Sequence, residues 1–211
     1  MIQLTTLQTV FVVGIVLYSI ILHEISHGMV SNWLGDDTAK RMGRLSLNPF
    51  KHIDWFGTVI LPLLMFFTTR VVFGYAKPVP INPYNYKDIK RDTGLSALAG
   101  PGVNILISIL FALIFHLSAG DPFLVPVCFY AVFFNLLLAF FNLIPIPPLD
   151  GSKVLGMFLS DEAYVKWMAQ ERRGMIVLFA AIIISSLLRL NIVGRVILPP
   201  ILFVMRLLGM V

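Results

Sequence analysis

Charged side chains are scarce in this sequence. Of its 211 residues, 13% are charged and 58% are apolar, and residues 1–22 contain no charged side chain. Soluble proteins average about 25% charged residues, so the composition excludes an ordinary soluble domain and indicates an integral membrane protein. The net charge of +5 does not indicate nucleic-acid binding. Its Lys and Arg residues lie mostly in loops between apolar runs, where they set the orientation in the membrane.

Cysteine and recognisable modules are also nearly absent. Cys128 is the single cysteine, so no internal disulfide forms and the redox compartment is not indicated. The sequence has no internal repeat, low-complexity tract or soluble module. The first apolar run lacks a basic region before it and a small-residue cleavage site after it, which favours a retained helix over a signal peptide. We expect one polytopic domain over residues 1–211, with a core at 1–160 and C-terminal helices at 174–211.

A short polar motif ends the first apolar run: His23-Glu24-Ile25-Ser26-His27. On a helix, residues four apart share a face, so His23 and His27 can bind one divalent metal ion. Glu24 follows the first His, where it can take a proton from a water on that metal. The alternative is a helix end that emerges among lipid headgroups. Ionisable residues at membrane depth are more often functional, so we favour the metal site.

A catalytic zinc ion needs a third protein ligand and keeps one position open. Asp150 is the best candidate, because the uncharged run at 122–149 leads into it and three prolines interrupt the helix before it. The alternative is that Asp150 caps a helix that begins at Gly151. Four other side chains are expected to have ordinary roles, as solvated carboxylates or as packed or hydrogen-bonded groups: Glu162, Glu171, Cys128 and His116.

The apolar runs predict an all-α integral membrane protein with about five to six membrane helices. Residues 55–69 are uncharged, but this run is short and both of its flanks are basic, so we expect a re-entrant segment. The number of membrane crossings agrees with this. The His23/His27 pair and Asp150 can meet only if an odd number of crossings lies between their two apolar runs. Residues 93–120 supply one crossing, and a second at residues 55–69 would place Asp150 on the opposite side. Weak alternation over residues 40–49 predicts a possible short β-hairpin after the first helix.

Together these motifs resemble the site-2 protease family of intramembrane zinc metalloproteases, in its short form without a PDZ domain. The matching pieces occur in family order at residues 23–28, 43–49, 76–83, 99–104 and 142–151. The resemblance implies one catalytic Zn²⁺, held by His23, His27 and Asp150, with Glu24 as the base that activates water.

The resemblance also concerns the substrate. It implies that Asn142 lies beside the bound substrate, and Asn104 is a second candidate substrate-binding residue. The region after Gly43 is expected to offer an edge to an extended substrate strand, which would satisfy the backbone of a peptide inside the membrane.

The sequence thus predicts an intramembrane zinc metalloprotease of the HExxH type, acting on transmembrane or membrane-anchored proteins as in regulated intramembrane proteolysis. We expect a multi-pass protein (of the cell membrane if prokaryotic), in contact with the lipid bilayer and not with nucleic acid. Its basic loops place the active site toward the cytoplasmic side. The alternative is a zinc-binding membrane transporter or scaffold, which needs no Glu beside the first His. A catalytically silent family member is disfavoured because all four key residues are present. The substrate and the oligomeric state stay open.

Overall fold

The computed structural model of this chain describes residues 3–69, 76–188 and 192–211. Over these ranges the protein is helical and has no β-strand. A π-helical stretch, Trp55–Ile60, leads into the third α-helix, and short 3-10 turns lie at Pro49–His52 and Pro83–Asn85. The α-helices are α1 (Thr6–Trp33), α2 (Thr38–Arg41), α3 (Leu61–Thr69), α4 (Ile89–Leu117), α5 (Leu124–Asn142), α6 (Asp150–Gly156), α7 (Asp161–Met168), α8 (Glu171–Leu187) and α9 (Ile192–Leu207).

Three of these helices, α1, α4 and α5, are long and apolar enough to cross a membrane. They contain 28, 29 and 19 residues. At 1.5 Å per residue the shortest is about 28 Å long, close to the ~30 Å hydrocarbon core of a bilayer. Helix α1 begins at a capping box, in which the Thr5 side chain accepts from the Gln8 backbone and the Gln8 side chain accepts from the Thr5 backbone.

Contacts at the two ends of the bundle define its topology. Near the start of α1, the Gln8 amide donates to the carbonyl oxygen of Pro122, just before α5, at 2.9 Å. Near the end of α1, Ser31 Oγ lies 2.8 Å from Tyr86 Oη, just before α4. Helices α1 and α5 therefore run parallel, and α4 runs antiparallel to both. The C-terminal half of α1 and the residues after α5 lie at the same end of the bundle, as an odd number of crossings requires.

The described segments before and after residues 53–76 are hydrogen-bonded to each other at this end of the bundle. The backbone N–H of Lys77 donates to the carbonyl oxygen of His52 at 2.9 Å. Helix α3 buries Leu61 and Met65 in a cluster that includes Leu149 and residues of α8. Helix α3 is thereby packed against the residue that directly precedes Asp150.

The hairpin expected over residues 40–49 is not found, since the described part of the chain contains no strand. Helix α2 ends at Arg41, and Gly43, with φ of +61°, turns the chain. Leu45 then packs against α1 at Gly28. A Cβ added to Gly28 would lie 2.6 Å from Cδ2 of Leu45. The alternating residues after the turn are thus held by side-chain packing on α1 and not by strand pairing.

The expected five to six membrane helices are not confirmed, because three described helices meet the length and hydropathy of a span. Helices α8 and α9 contain 17 and 16 residues, and α8 begins with the charged residues Glu171, Arg172 and Arg173. Helix α9 contains Pro199 and Pro200, and its buried face packs on α4 and α5 through Ile197, Ile201 and Met205. Apolar residues of α9 therefore contribute to packing on the bundle.

Candidate metal centre

Three buried side chains converge at the end of the bundle where α1 ends. His23 Nε2 lies 3.2 Å from Asp150 Oδ2, and His27 Nε2 lies 3.3 Å from the same oxygen. The ligand atoms of the three residues all lie within 4.8 Å of one another. The structure therefore brings together the three side chains that the sequence predicted as metal ligands.

The donor set and its spacing fit a zinc ion. Zinc binds imidazole nitrogen and carboxylate oxygen at about 2.0–2.2 Å with tetrahedral geometry, so neighbouring ligand atoms lie about 3.3 Å apart. The two distances from the imidazoles to Asp150 agree with this value. Two imidazoles and one carboxylate also match the ligand types of hydrolytic zinc sites, which leave a fourth position open.

Both imidazole rings are oriented by α4. His27 Nδ1 lies 2.8 Å from the carbonyl oxygen of Ser96, and His23 Nδ1 lies 2.6 Å from Asn104 Oδ1. A carbonyl oxygen only accepts hydrogen bonds, so His27 carries a proton on Nδ1 and its Nε2 is available to a metal. The ring planes are 88° apart, with centroids 4.6 Å apart. Helix α4 thus supplies the partners that turn both Nε2 atoms toward Asp150.

At Gly100, the backbone of α4 lies against both imidazole rings. A Cβ at this position would lie 2.6 Å from His23 Cε1 and would also collide with the ring of His27. Ser96, Gly100 and Asn104 are four residues apart, so they form one stripe of α4 that faces α1. Small residues permit close approach between helices, and Gly100 does so beside the candidate metal ligands.

The irregular segment after α5 presents Asp150. Gly151 lies against the carbonyl groups of Leu143 and Ile144, where a Cβ would collide. Helix α6 begins at Asp150 itself, and its N-cap residue Leu149 makes no capping hydrogen bond. The alternative that Asp150 caps a helix is therefore wrong, because its carboxylate points to the imidazoles.

Glu24 is half-buried beside the ligands on α1. Its Oε2 accepts a hydrogen bond from the backbone N–H of Val79 at 3.0 Å. Val79 lies between Pro78 and Pro80, neither of which has an N–H, so it is the one backbone donor of this Pro-Val-Pro segment. The contact fixes one oxygen of the carboxylate. Sequence reasoning missed Val79 because a backbone donor leaves no side-chain signal.

The two candidate substrate-binding residues occupy different environments. Asn104 is fully buried, and its Oδ1 lies 2.6 Å from Nδ1 of His23, a candidate metal ligand. Asn142 is partly buried at the end of α5, and its amide donates to the carbonyl oxygen of Leu138 in the same helix at 2.9 Å. Sequence reasoning also missed Asn135 of α5, which is fully buried and hydrogen-bonded to Asn104.

Three side chains that were expected to be solvated, packed or hydrogen-bonded have such surroundings in the structure. Glu162 is exposed and pairs with Lys166, one helical turn away. Cys128 is a buried free thiol. His116 Nε2 hydrogen-bonds to the carbonyl oxygen of Leu208 at 2.7 Å. None of these three residues belongs to the group of metal-ligating side chains described above.

Comparisons with known proteins agree with this chemistry. The profile of Peptidase family M50 matches residues 118–188, a range that includes Asp150. The protein named "Putative zinc metalloprotease YwhC" of Bacillus subtilis is 33% identical over 176 residues, which cover 79% of this chain and 77% of that protein.

Two further relatives carry the same type of name. The Methanocaldococcus jannaschii protein MJ0611 is 31% identical over 137 residues, which cover 64% of this chain and 63% of that protein. The Mycolicibacterium smegmatis protein Rip2 is 26% identical over 176 residues, which cover 82% of this chain and 66% of that protein. No solved structure matches the chain.

Proposed function

The chain belongs to Peptidase family M50, the site-2 proteases, and on this premise we propose that it cuts membrane proteins within the bilayer with one catalytic zinc ion. His23, His27 and Asp150 are the proposed ligands and Glu24 the proposed base. One observation carries the proposal: the two imidazole Nε2 atoms lie 3.2 and 3.3 Å from one oxygen of Asp150. These ligands lie on or directly after helices long enough to span a membrane.

Each residue of the proposed site has a defined task. When bound, zinc supplies Lewis-acid polarisation of the scissile carbonyl group and lowers the pKa of water to near 7. Glu24 would accept a proton from the attacking water as the new C–O bond forms, and would then deliver it to the amine nitrogen as the C–N bond breaks. The Val79 N–H keeps one oxygen of Glu24 in a fixed position, at 3.0 Å. This contact supports an assignment of proton transfer to the other oxygen.

The membrane arrangement is part of the proposal. Residues 55–69 would re-enter and not cross, which the hydrogen bond between Lys77 and His52 supports. The basic residues of the loops at this end of the bundle support a cytoplasmic active site. Asn142 is proposed to contact the substrate, since it ends the helix that leads to Asp150. The division into a core at 1–160 and C-terminal helices at 174–211 stays a prediction.

A transporter or scaffold is not favoured. Such a protein needs ligands for an ion, but it needs no carboxylate held beside the first His. The Glu24 contact with Val79 and the relationship to metalloproteases both support hydrolysis.

Comparative proteomics of membranes from cells with the wild-type chain and with Glu24→Gln tests the proposal. Gln keeps the shape of Glu but cannot act as a base, so intact or partly trimmed membrane proteins should accumulate in the variant, which retains zinc. Identical fragment patterns in the two strains would contradict proteolysis. Loss of zinc uptake into vesicles, with unchanged fragments, would support a transporter instead.

A further inference from the structure

Two buried asparagines connect a metal ligand to the core of the bundle. Asn104 Oδ1 lies 2.6 Å from His23 Nδ1, and Asn104 Nδ2 donates to Asn135 Oδ1 at 3.0 Å. Asn135 Nδ2 in turn donates to the carbonyl oxygen of Ala131 at 2.9 Å. Both asparagines are 0% exposed. The result is a chain of three hydrogen bonds that crosses from α1 through α4 to α5.

The direction of this chain is set at its far end. The carbonyl oxygen of Ala131 only accepts, so the amide nitrogen of Asn135 faces it and Oδ1 of Asn135 faces Asn104. Asn104 then turns its own nitrogen toward Asn135 and its oxygen toward His23. A reversed Asn104 would place two acceptor oxygens 3.0 Å apart in a buried site, which is unfavourable without a donor between them. The oxygen that faces His23 therefore requires a proton on Nδ1.

We propose that Asn135 is a positioning residue of the metal centre and acts through Asn104. By fixing the Asn104 amide, it holds the His23 proton on Nδ1 and directs the Nε2 lone pair to the metal. The inference rests on the proposed function, because it concerns how His23 binds zinc. It assigns Asn104 to the orientation of a proposed metal ligand, and it gives a role to Asn135, whose side-chain hydrogen bonds go to Asn104 and Ala131.

The two imidazoles differ in how they are held. His27 Nδ1 donates to a backbone carbonyl, that of Ser96, so side-chain substitution leaves its acceptor in place. His23 Nδ1 depends on a side-chain amide, which can rotate once its other partner is removed. Substitutions at Asn135 should therefore affect the binding of zinc through His23 while His27 keeps its orientation.

Zinc affinity of the purified full chain, measured by competition with chelators, tests the inference in three variants. Asn135→Ala removes the partner that orients Asn104, and zinc affinity should fall by about 10–100-fold. Asn135→Asp, as a neutral acid, can donate to Ala131 and accept from Asn104, so it should restore the wild-type affinity.

Ser108→Ala is the matched control. Ser108 is also 0% exposed on the same stripe of α4, and its hydroxyl donates to the backbone oxygen of Asn104 at 2.9 Å. This control should keep the wild-type affinity.

Nitrogen NMR of ¹⁵N-histidine in the zinc-loaded wild-type chain is an independent readout that needs no variant. The chain has four histidines, so each signal can be assigned by single substitution. The expected result for His23 is a proton on Nδ1 and zinc on Nε2, and zinc on Nδ1 would overturn the inference. Wild-type affinity in Asn135→Ala, or an equal loss in Ser108→Ala, would overturn it too. Failure of the wild-type chain to bind zinc would instead refute the proposed function.

Discussion

Replacing Gly100 with alanine should weaken zinc binding while the helix bundle stays folded. The added Cβ would lie 2.6 Å from His23 Cε1, whereas carbon atoms in contact are about 3.5 Å apart, so one group must move by about 0.9 Å. The rings cannot swing aside freely, because Asn104 and Ser96, on the same helix as Gly100, hold their Nδ1 atoms. Metal–ligand distances tolerate only about 0.2 Å. We expect the affinity for zinc to fall by at least about 10–100-fold, the range seen when groups around a ligand are disturbed.

Gly102→Ala is a matched control for this substitution. Gly102 lies two residues further along α4, and a Cβ there meets nothing within 4 Å. The control should bind zinc as the wild type does and should be more stable by about 0.5–1 kcal/mol, because alanine favours a helix over glycine. Chelator competition measures affinity, and thermal unfolding in detergent measures stability. Equal zinc affinity in Gly100→Ala and Gly102→Ala would refute the close packing of α4 on the imidazoles.

Three further predictions concern the surroundings of the site. Single cysteines at Lys51 and Lys87, in a Cys128→Ser background, should react with an impermeant thiol reagent from the same side of the membrane. Labelling from opposite sides would refute the re-entrant segment at residues 55–69. Val79→Pro removes the backbone N–H that holds Glu24 and should lower kcat by about 10–100-fold while zinc is retained. The reason is that a hydrogen bond to a charged group contributes about 1.5–3 kcal/mol. An unchanged kcat would show that the contact is dispensable. Burial alone would raise the pKa of Asp36, but hydrogen bonds from Thr38, Asn82 and Asn85 lower it to about 2. The stabilisation that Asp36 contributes should therefore be present above about pH 4 and be lost as the pH falls toward 2. The Asp36→Asn variant should be less stable than the wild type near neutral pH, and its stability should fall less between pH 5 and 2. An equal fall in the unfolding temperatures of the two proteins over this pH range would contradict the prediction.

The candidate metal centre was the most predictable part of the molecule. His23 and His27 follow from helical spacing, and Asp150 was chosen because an uncharged run and a proline-rich turn lead into it. These inferences use short-range geometry and chain direction, which are fixed by local sequence. The apolar setting made the polar residues conspicuous, because polar groups at membrane depth need partners.

The features that sequence reasoning missed depend on contacts between distant parts of the chain. Asn135 lies in an otherwise apolar run, and nothing near it in sequence indicates that Asn104 lies opposite. Val79 acts through its backbone. The expected hairpin at 40–49 failed because Leu45 found a packing site at Gly28, an interaction between segments that alternation alone does not encode. The expected number of spans is not confirmed, and apolar residues of α9 pack on the bundle through Ile197, Ile201 and Met205.

The zinc content of the purified chain and of its ligand variants tests the central claim most directly. The wild type should contain about one zinc ion per chain, and His23→Ala, His27→Ala and Asp150→Ala should each lose most of it. His116→Ala is the control, because His116 hydrogen-bonds to Leu208 and takes no part in the site, so this variant should keep its zinc. Full zinc retention in the three ligand variants, or a loss in His116→Ala as large as theirs, would contradict the assignment of the metal centre.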